Sequence, residues 1–516
     1  MTLSLTSEQV DGLLKMLEES TRAGDQVVAR FIEPASGTLI RAKSRRHHII
    51  FGRRGSGKSS LLRKATFDLS LERIPNAFVD LEVFKGHSYP DVLISVLIAS
   101  LTKLDEWLVS TGGFSSTKTS FWNRFFGQMP KHPPLNKEGR KAVLTELRSI
   151  KTELEQWLFE QDGASIKETK EAETGSSVSA GVSAGIDSLG AKVGATAKEN
   201  EKSETQEQKV RSKNDFLNRS ILRFKKIFED VSKLSNGNCF LILDDLYHLK
   251  REDQAQVLDY FHRISKNSGL WIKVGTIRHR TDHYRYGNPP VGMKLGDDAE
   301  EIDLDITLEK YDTAKSFLAK VLDGLLKETE IRREKILSNS ALDRLVLASG
   351  GVARDFLSIF QRAIIHARER GDDTSGSTIS VVDVNRAAGE HDTSKRDDFR
   401  RDTNEDTERI EKAFNIIRDF CLTEANANCF LIEKDVNPQQ AFIVDELVDL
   451  KMFHLINSRV TIPDRAKKYY KAFMLDLSQY TGDRKRRNLE MIEFWDASKR
   501  EQLRKVSLVF DLSRLS

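Results

Sequence analysis

The chain has little cysteine, little proline and no long apolar run, and each scarcity excludes something. Its three cysteines, Cys239, Cys421 and Cys429, show no metal-type spacing, so no zinc site is indicated and free thiols in a reducing compartment are expected. No stretch of 18 apolar residues occurs, and the N-terminus has no basic region followed by an apolar core. The expectation is a soluble cytosolic protein with no membrane span. Charge of one sign is also missing: 81 Lys and Arg stand against 78 Asp and Glu, a net charge of +3 that announces no nucleic-acid partner. With 516 residues there is room for two to four domains and an ample core.

What the chain does hold is local. Between Arg41 and Thr66 there are nine Lys or Arg and no acid, and near the end come Arg484-Lys485-Arg486-Arg487 and Lys499-Arg500. Inside the first cluster lies Gly52-Arg53-Arg54-Gly55-Ser56-Gly57-Lys58-Ser59, which matches the phosphate-cradling loop GxxxxGK[ST]. The apolar run His48 to Phe51 before it reads as a buried strand, and Leu61 to Ala65 after it reads as the opening of a helix. That context is what the chemistry needs. Gly52, Gly55, Ser56, Gly57 and Ser60 turn backbone amides toward the phosphates of ATP, Lys58 neutralises charge, and the Ser59 hydroxyl ligates Mg2+.

A second signature is Phe240-Leu241-Ile242-Leu243-Asp244-Asp245, an unbroken apolar run ending in two acids. Full burial explains the run, and carboxylates at the C-terminal end of a parallel strand stand where ligands collect. Asp244 is expected to hold Mg2+, and Asp245 to orient or deprotonate the attacking water. The next strand, Leu270 to Thr276, leads into Ile277-Arg278-His279-Arg280. Thr276 or Arg278 is placed to sense the γ-phosphate, and Arg280 or Arg285 to reach a neighbouring subunit's nucleotide. A solvated basic loop over Arg278 to Arg285 is the plainer alternative. Strand candidates also occur at Ala77 to Phe84 and Glu301 to Ile306.

Beyond about residue 330 helical periodicity takes over. Gly350 and Gly351 end one helix, and Arg354 opens the next, where it either folds onto the phosphates or makes a surface ion pair. Residues 109–215 interrupt the α/β rhythm with an aromatic patch, Phe121 to Phe126, and a helix ending near Phe159. A small-residue stretch follows in which Val178, Ala180, Val182, Ala184 and Ile186 alternate with Ser and Gly; it reads as a hairpin, a disordered arm or, more sharply, a membrane-inserting segment. From Asp402 a helix, a strand, a helix over Gln440 to Lys451 and two strands suggest a winged helix. Its recognition-helix candidate carries Asp445, Glu446 and Asp449, which phosphates would repel.

These motifs, in this order, resemble the AAA+ class of P-loop ATPases, in particular the origin-recognition and helicase-loader branch, with STAND switch ATPases close behind. The resemblance rests on Gly52 to Ser59 as Walker A, Phe240 to Asp245 as Walker B, the strand ending at Thr276 to Arg278, and Gly350 to Arg354 in the lid. It implies an α/β fold: a P-loop parallel-sheet ATPase core (41–108 and 216–329) with a helical lid (330–400) and a C-terminal winged-helix-like domain (401–482). Around these lie an N-terminal helical segment (1–40), the insertion (109–215) and a basic tail (483–516). Asp244-Asp245 departs from the Asp-Glu of many members and looks more like the STAND switches. The implied function is an ATP-dependent switch that forms a homo-oligomer and engages a protein partner through the insertion or C-terminal domain, as in a bacterial antiphage system. The alternatives are a loader that binds duplex DNA, or a nucleotide-binding protein that does not hydrolyse.

Overall fold

The computed structural model describes residues 4–20, 30–112, 137–175, 190–370, 378–402, 407–434, 438–481 apart from 464 and 466, and 489–515. After helix α1 (Glu8–Ser20) and a single turn at Thr38–Ala42, the run His48–Phe51 forms β1, buried along its whole length. The phosphate loop follows, then α2 (Lys58–Leu71) and β2 (Asn76–Asp80). β2 is shorter than the expected Ala77 to Phe84. The Asp80 carboxylate accepts from the Glu82 backbone amide at 3.0 Å and turns Leu81–Phe84 into a 3-10 turn.

Helix α3 (Asp91–Gly112) leads toward two long helices, α4 (Lys137–Gly175) and α5 (Gly190–Lys233). α4 continues past Phe159, where it was expected to end, and α5 begins well before Phe216. The aromatic patch at Phe121 to Phe126 and the alternation from Val178 to Ile186 lie outside the described residues. β3 (Cys239–Asp244), α6 (Arg251–Ser265) and β4 (Leu270–Thr276) complete the βα rhythm. A small hairpin that the sequence pattern did not suggest, β5 (Tyr284–Arg285) with β6 (Val291–Gly292), precedes β7 (Glu300–Asp303).

The sheet order is β2-β3-β4-β1-β7, parallel throughout. Every second residue of a strand meets the same layer. Leu241 and Leu243 of β3 pack with α3, α5 and α6, whereas Phe240 and Ile242 pack with Leu61, Leu62, Ala65 and Leu69 of α2. Two covered faces are what an unbroken apolar strand requires.

Beyond the sheet run α7 (Tyr311–Glu328), α8 (Asn339–Ser349), α9 (Ala353–Glu369), α10 (Val381–Asp402), α11 (Thr407–Asp419) and α12 (Pro438–Asp449). β8 (Cys429–Glu433), β9 (Phe453–Val460) and β10 (Tyr470–Leu475) form an antiparallel sheet in the order β8-β10-β9. Helix, strand, helix and two strands in that pairing make a winged-helix-like domain. It shares one continuous apolar core with α1, α7 and the lid helices α8 to α10. Residues 489–515, expected as a basic tail, lie against this domain: Val509 bridges Leu431, and Ile492, Phe494, Phe510 and Leu512 are buried. Their apolar side chains outweigh the basic ones that suggested a tail. The Arg484 to Arg487 run lies outside the described residues. Among the described residues no helix is long and apolar enough to cross a membrane.

Core, lid and winged domain meet at Gly350. Its φ of +59° and the His454 imidazole, 2.1 Å from where a Cβ would sit, leave room for no other residue. The same residue's carbonyl accepts from Arg53 at 3.2 Å.

Candidate nucleotide site

The phosphate loop leaves β1, turns at Gly57 in the left-handed region and enters α2, so the first amides of that helix face a cavity of about 670 Å3. Lys58 is 5% exposed and folds back over the loop, donating from Nζ to the carbonyls of Gly52 at 2.8 Å and Arg53 at 3.3 Å. Burial lowers its pKa, against the pull of Asp245 and Asp244. Ser56 Oγ is buried on the cavity wall without a hydrogen-bond partner, the kind of orphan a bound phosphate oxygen satisfies.

In the sheet β3 is separated from β1 by β4, so Asp244 must reach across β4 to meet the loop. It does so over Gly275, where an added Cβ would stand 2.5 Å from Asp244 Oδ1. Asp244 hydrogen-bonds Ser59, and burial together with neighbouring Asp245 pushes its pKa up to about 7. Asp245 takes φ 56° and ψ 47°, a left-handed conformation that Asp tolerates better than most residues, and burial raises its pKa as well. A buried and a half-buried carboxylate beside a serine hydroxyl, both driven toward protonation, fit a hard divalent cation. Mg2+ takes one or two such protein oxygens and fills its remaining positions with phosphate and water. Among the described residues no group of three metal-ligating side chains occurs, as that mode of binding allows.

The lid supplies Arg354 at the start of α9, and its backbone amide donates to Gly55 O at 3.4 Å. Gly55, Ser56, Gly57, Lys58, Ser59, Ser60, Asp245, Arg280 and Arg354 therefore line one cavity, with Gly52 and Asp244 directly behind it.

Two of the expected arginines are elsewhere. Arg278 lies over the Phe51 ring at 4.2 Å and pairs with Glu301 and Asp303, and Arg285 pairs with Asp282 and donates to Arg251 O at 2.9 Å. Neither lines the cavity. Arg280 does, but its Nη2 is held by Glu446 of α12 at 2.6 Å. Thr276, the other sensing candidate, is fully buried and bonded to Thr281.

The cavity has further walls that sequence reasoning missed. Arg54, Glu82, Tyr247 and His248 surround the phosphate end, and Phe31, Ile32, Pro34, Phe317, Val321 and Leu357 form an apolar far end. Asp449, Leu450 and Lys451 of the winged domain roof it, together with Asp355, His391 and Lys395 of the lid. The three acids of α12 that looked wrong for DNA point partly into the protein. Glu446 and Asp449 flank His279, at 3.2 Å and 2.5 Å. Burial works against the Glu446 charge, but His279 and Arg280 hold its pKa below the usual value.

A β-strand, glycine-rich loop and helix, with paired carboxylates at the end of a parallel strand one removed in the sheet, define the core. This is a parallel α/β fold with a P-loop. No family model and no curated protein matches the chain. Among solved structures it is similar to the ORC1 protein of Aeropyrum pernix in complex with DNA, at 13% identity and a TM-score of 0.33, over 91% of this chain and 89% of that one.

Proposed function

We propose that the chain binds ATP with Mg2+ in this cavity and hydrolyses it slowly, as a molecular switch of the AAA+ or STAND kind whose lid and winged domain respond to the nucleotide. The convergence of the phosphate loop, Asp244, Asp245 and Arg354 on a cavity with a charged end and an apolar end carries this reading. A triphosphate fits the first, and a purine fits between Ile32, Phe317 and Leu357 at the second.

Loop amides and Lys58 bind and orient the phosphates, Ser59 and Asp244 hold Mg2+, and Asp245 accepts a hydrogen bond from the water in line with the γ-phosphate. When bound, Mg2+ neutralises the charge that develops on the phosphates. Asp245 is one methylene shorter than a glutamate, which favours slow turnover. Homo-oligomerisation and a protein partner belong to the same reading, and the antiphage role rests on the STAND resemblance alone.

The test is ATP binding and turnover by the wild type and Lys58→Ala. Binding weakened at least a hundredfold and turnover lost in the variant are expected. Wild type that binds no ATP would overturn the reading.

A second reading, duplex DNA as partner, is favoured by the β9–β10 hairpin, whose stretch of chain carries Arg459, Arg465, Lys467, Lys468 and Lys471, with Arg459 over the Tyr469 ring at 4.4 Å and Lys468 and Lys471 paired with Glu433 and Asp445. Because α12 is docked on the core, this hairpin is the part that would meet phosphates, and its binding would fall steeply with salt.

A further inference from the structure

The phosphate loop carries two adjacent arginines with opposite fates. Arg53 is 3% exposed and acts as a strut: its backbone amide and side chain meet Asp305, and its guanidinium donates to the carbonyls of Ile306 and Gly350, each at 3.2 Å. Arg54 turns the other way, into the cavity. Its guanidinium lies 5.7 Å from the centroid of the Tyr247 ring and hydrogen-bonds the Tyr247 hydroxyl. Lys58 Nζ stands 5.9 Å from the same ring. Tyr247 belongs to the turn immediately after Asp244 and Asp245, so Arg54, Lys58 and Asp245 gather around its side chain at the phosphate end.

We infer that Arg54 is a catalytic arginine supplied in cis, contacting the γ-phosphate of the chain's own nucleotide, and that Tyr247 is its positioning residue. The assignment rests on the nucleotide reading above. Three observations favour Arg54 over the arginines between β4 and β7. Arg278 and Arg285 lie outside the cavity, Arg280 is held by Glu446, and Arg54 is anchored in the loop whose amides cradle the phosphates. A planar guanidinium beside that loop matches the equatorial oxygens of a transferring phosphoryl group. In the step it serves, a water oxygen bonds to the γ-phosphorus and the bond to the β–γ bridging oxygen breaks. The bond's electron pair stays on ADP, and the water's proton passes by way of Asp245 to the released phosphate. Arg54 transfers no proton; it offsets the charge on the three equatorial oxygens.

The experiment uses the full chain and compares wild type, Arg54→Ala, Arg54→Lys, Tyr247→Phe and Lys58→Ala. ATP turnover is measured across a range of protein concentration, and ATP and ADP affinities are measured separately with a fluorescent analogue. Arg54→Ala is expected to keep ADP affinity within about threefold and to lower kcat by at least about a hundredfold, below the full effect of an arginine finger. Arg54→Lys restores little, because an ammonium lacks the fork. Tyr247→Phe lowers kcat about threefold to tenfold with KM unchanged. Turnover per wild-type chain is independent of concentration, and a mixture of Arg54→Ala with Lys58→Ala stays inactive.

Turnover by Arg54→Ala within threefold of wild type, or recovery of activity in the mixture, would overturn the assignment and leave the nucleotide reading standing. If wild type binds ATP without turning it over, the ratio of ATP to ADP affinity becomes the readout. Arg54→Ala should lower that ratio at least tenfold, and an unchanged ratio overturns the contact. Absence of ATP binding by wild type overturns both readings together, and retained ADP binding by Arg54→Ala shows that the variant is folded.

Discussion

The floor and the roof of the cavity are built by different chemistry. The floor is a loop of eight residues, Gly52 to Ser59, plus two carboxylates at the end of one strand, and its Arg54, Lys58 and Asp245 line the cavity. The roof is held by ion pairs that are themselves buried. Lys451 donates to Asp355 at 2.8 Å, Lys395 to Asp476 at 2.7 Å, and His454 lies 2.9 Å from Asp476, joining lid helices to the winged domain. Burial would raise both Asp carboxyls, yet Lys451 and His391 hold Asp355, and Lys395 and His454 hold Asp476, below the usual carboxylate range. The difference teaches that the floor charges bond mainly to the loop and strand ends beside the cavity, whereas the roof charges pair with one another across lid and winged domain. Removing a floor residue should affect ligands, and removing a roof residue should affect stability.

The largest effect expected from the roof is that of Asp476→Ala, which leaves Lys395 and His454 buried without their acid. Breaking one partner of such a pair costs about 3–5 kcal/mol, read as a lower denaturant midpoint. The sign with pH follows from the depressed carboxyl. Its stabilisation is present above the unfolded pKa near 4 and is lost as pH falls below it, so wild type loses stability in acid and Asp476→Ala loses less. If the variant unfolds at the wild-type midpoint, the roof is not held by its ion pairs.

Gly350→Ala should cost somewhat less, about 2–4 kcal/mol, because a Cβ there meets the His454 ring in a left-handed backbone. Thermal unfolding measures it, and a drop under about 0.5 kcal/mol would mean that lid and winged domain part without consequence.

Glu446→Ala should release Arg280 and loosen α12 from the core at a cost of about 1–3 kcal/mol. Faster proteolysis between the core and α12 is the readout, with Asp445→Ala, an exposed neighbour, as the unchanged control.

The smallest effect belongs to the floor and distinguishes it from the roof. Asp244, with its pKa near 7, must lose a proton to ligate Mg2+. Apparent Mg2+ affinity should therefore fall up to tenfold for each pH unit below about 7. The nucleotide-free chain shows the opposite sign: a raised carboxyl stabilises the fold at low pH, and that contribution is lost as pH rises through 7. Isothermal titration at pH 6, 7 and 8 checks the first, and Asp244→Asn should abolish the dependence.

The same division explains what the sequence revealed. The floor was legible because a cradle for phosphate is local: the residues that make it are neighbours in the chain, and the flanking strand and helix follow from their own apolar patterns. The parallel strands were visible for the same reason, as unbroken apolar runs. The roof was not legible. Asp355 meets Lys451 and Arg280 meets Glu446 across long stretches of chain, and each residue alone looks like an ordinary surface charge. Arg278 stands just after the end of β4, but its acids Glu301 and Asp303, and the Glu446 that holds Arg280, come from elements whose approach no spacing announces. Arg54 sits inside the motif, but the loop pattern leaves its position unspecified, so spacing alone gives it no role.

Arg280 cannot serve Glu446 and a neighbour's phosphate at once. A contact tethered within one chain acts at an effective concentration in the millimolar range. A second copy presenting its nucleotide to Arg280 therefore competes against a partner that is always present. Unless α12 first moves away, association through this arginine is a contest the single chain is built to win.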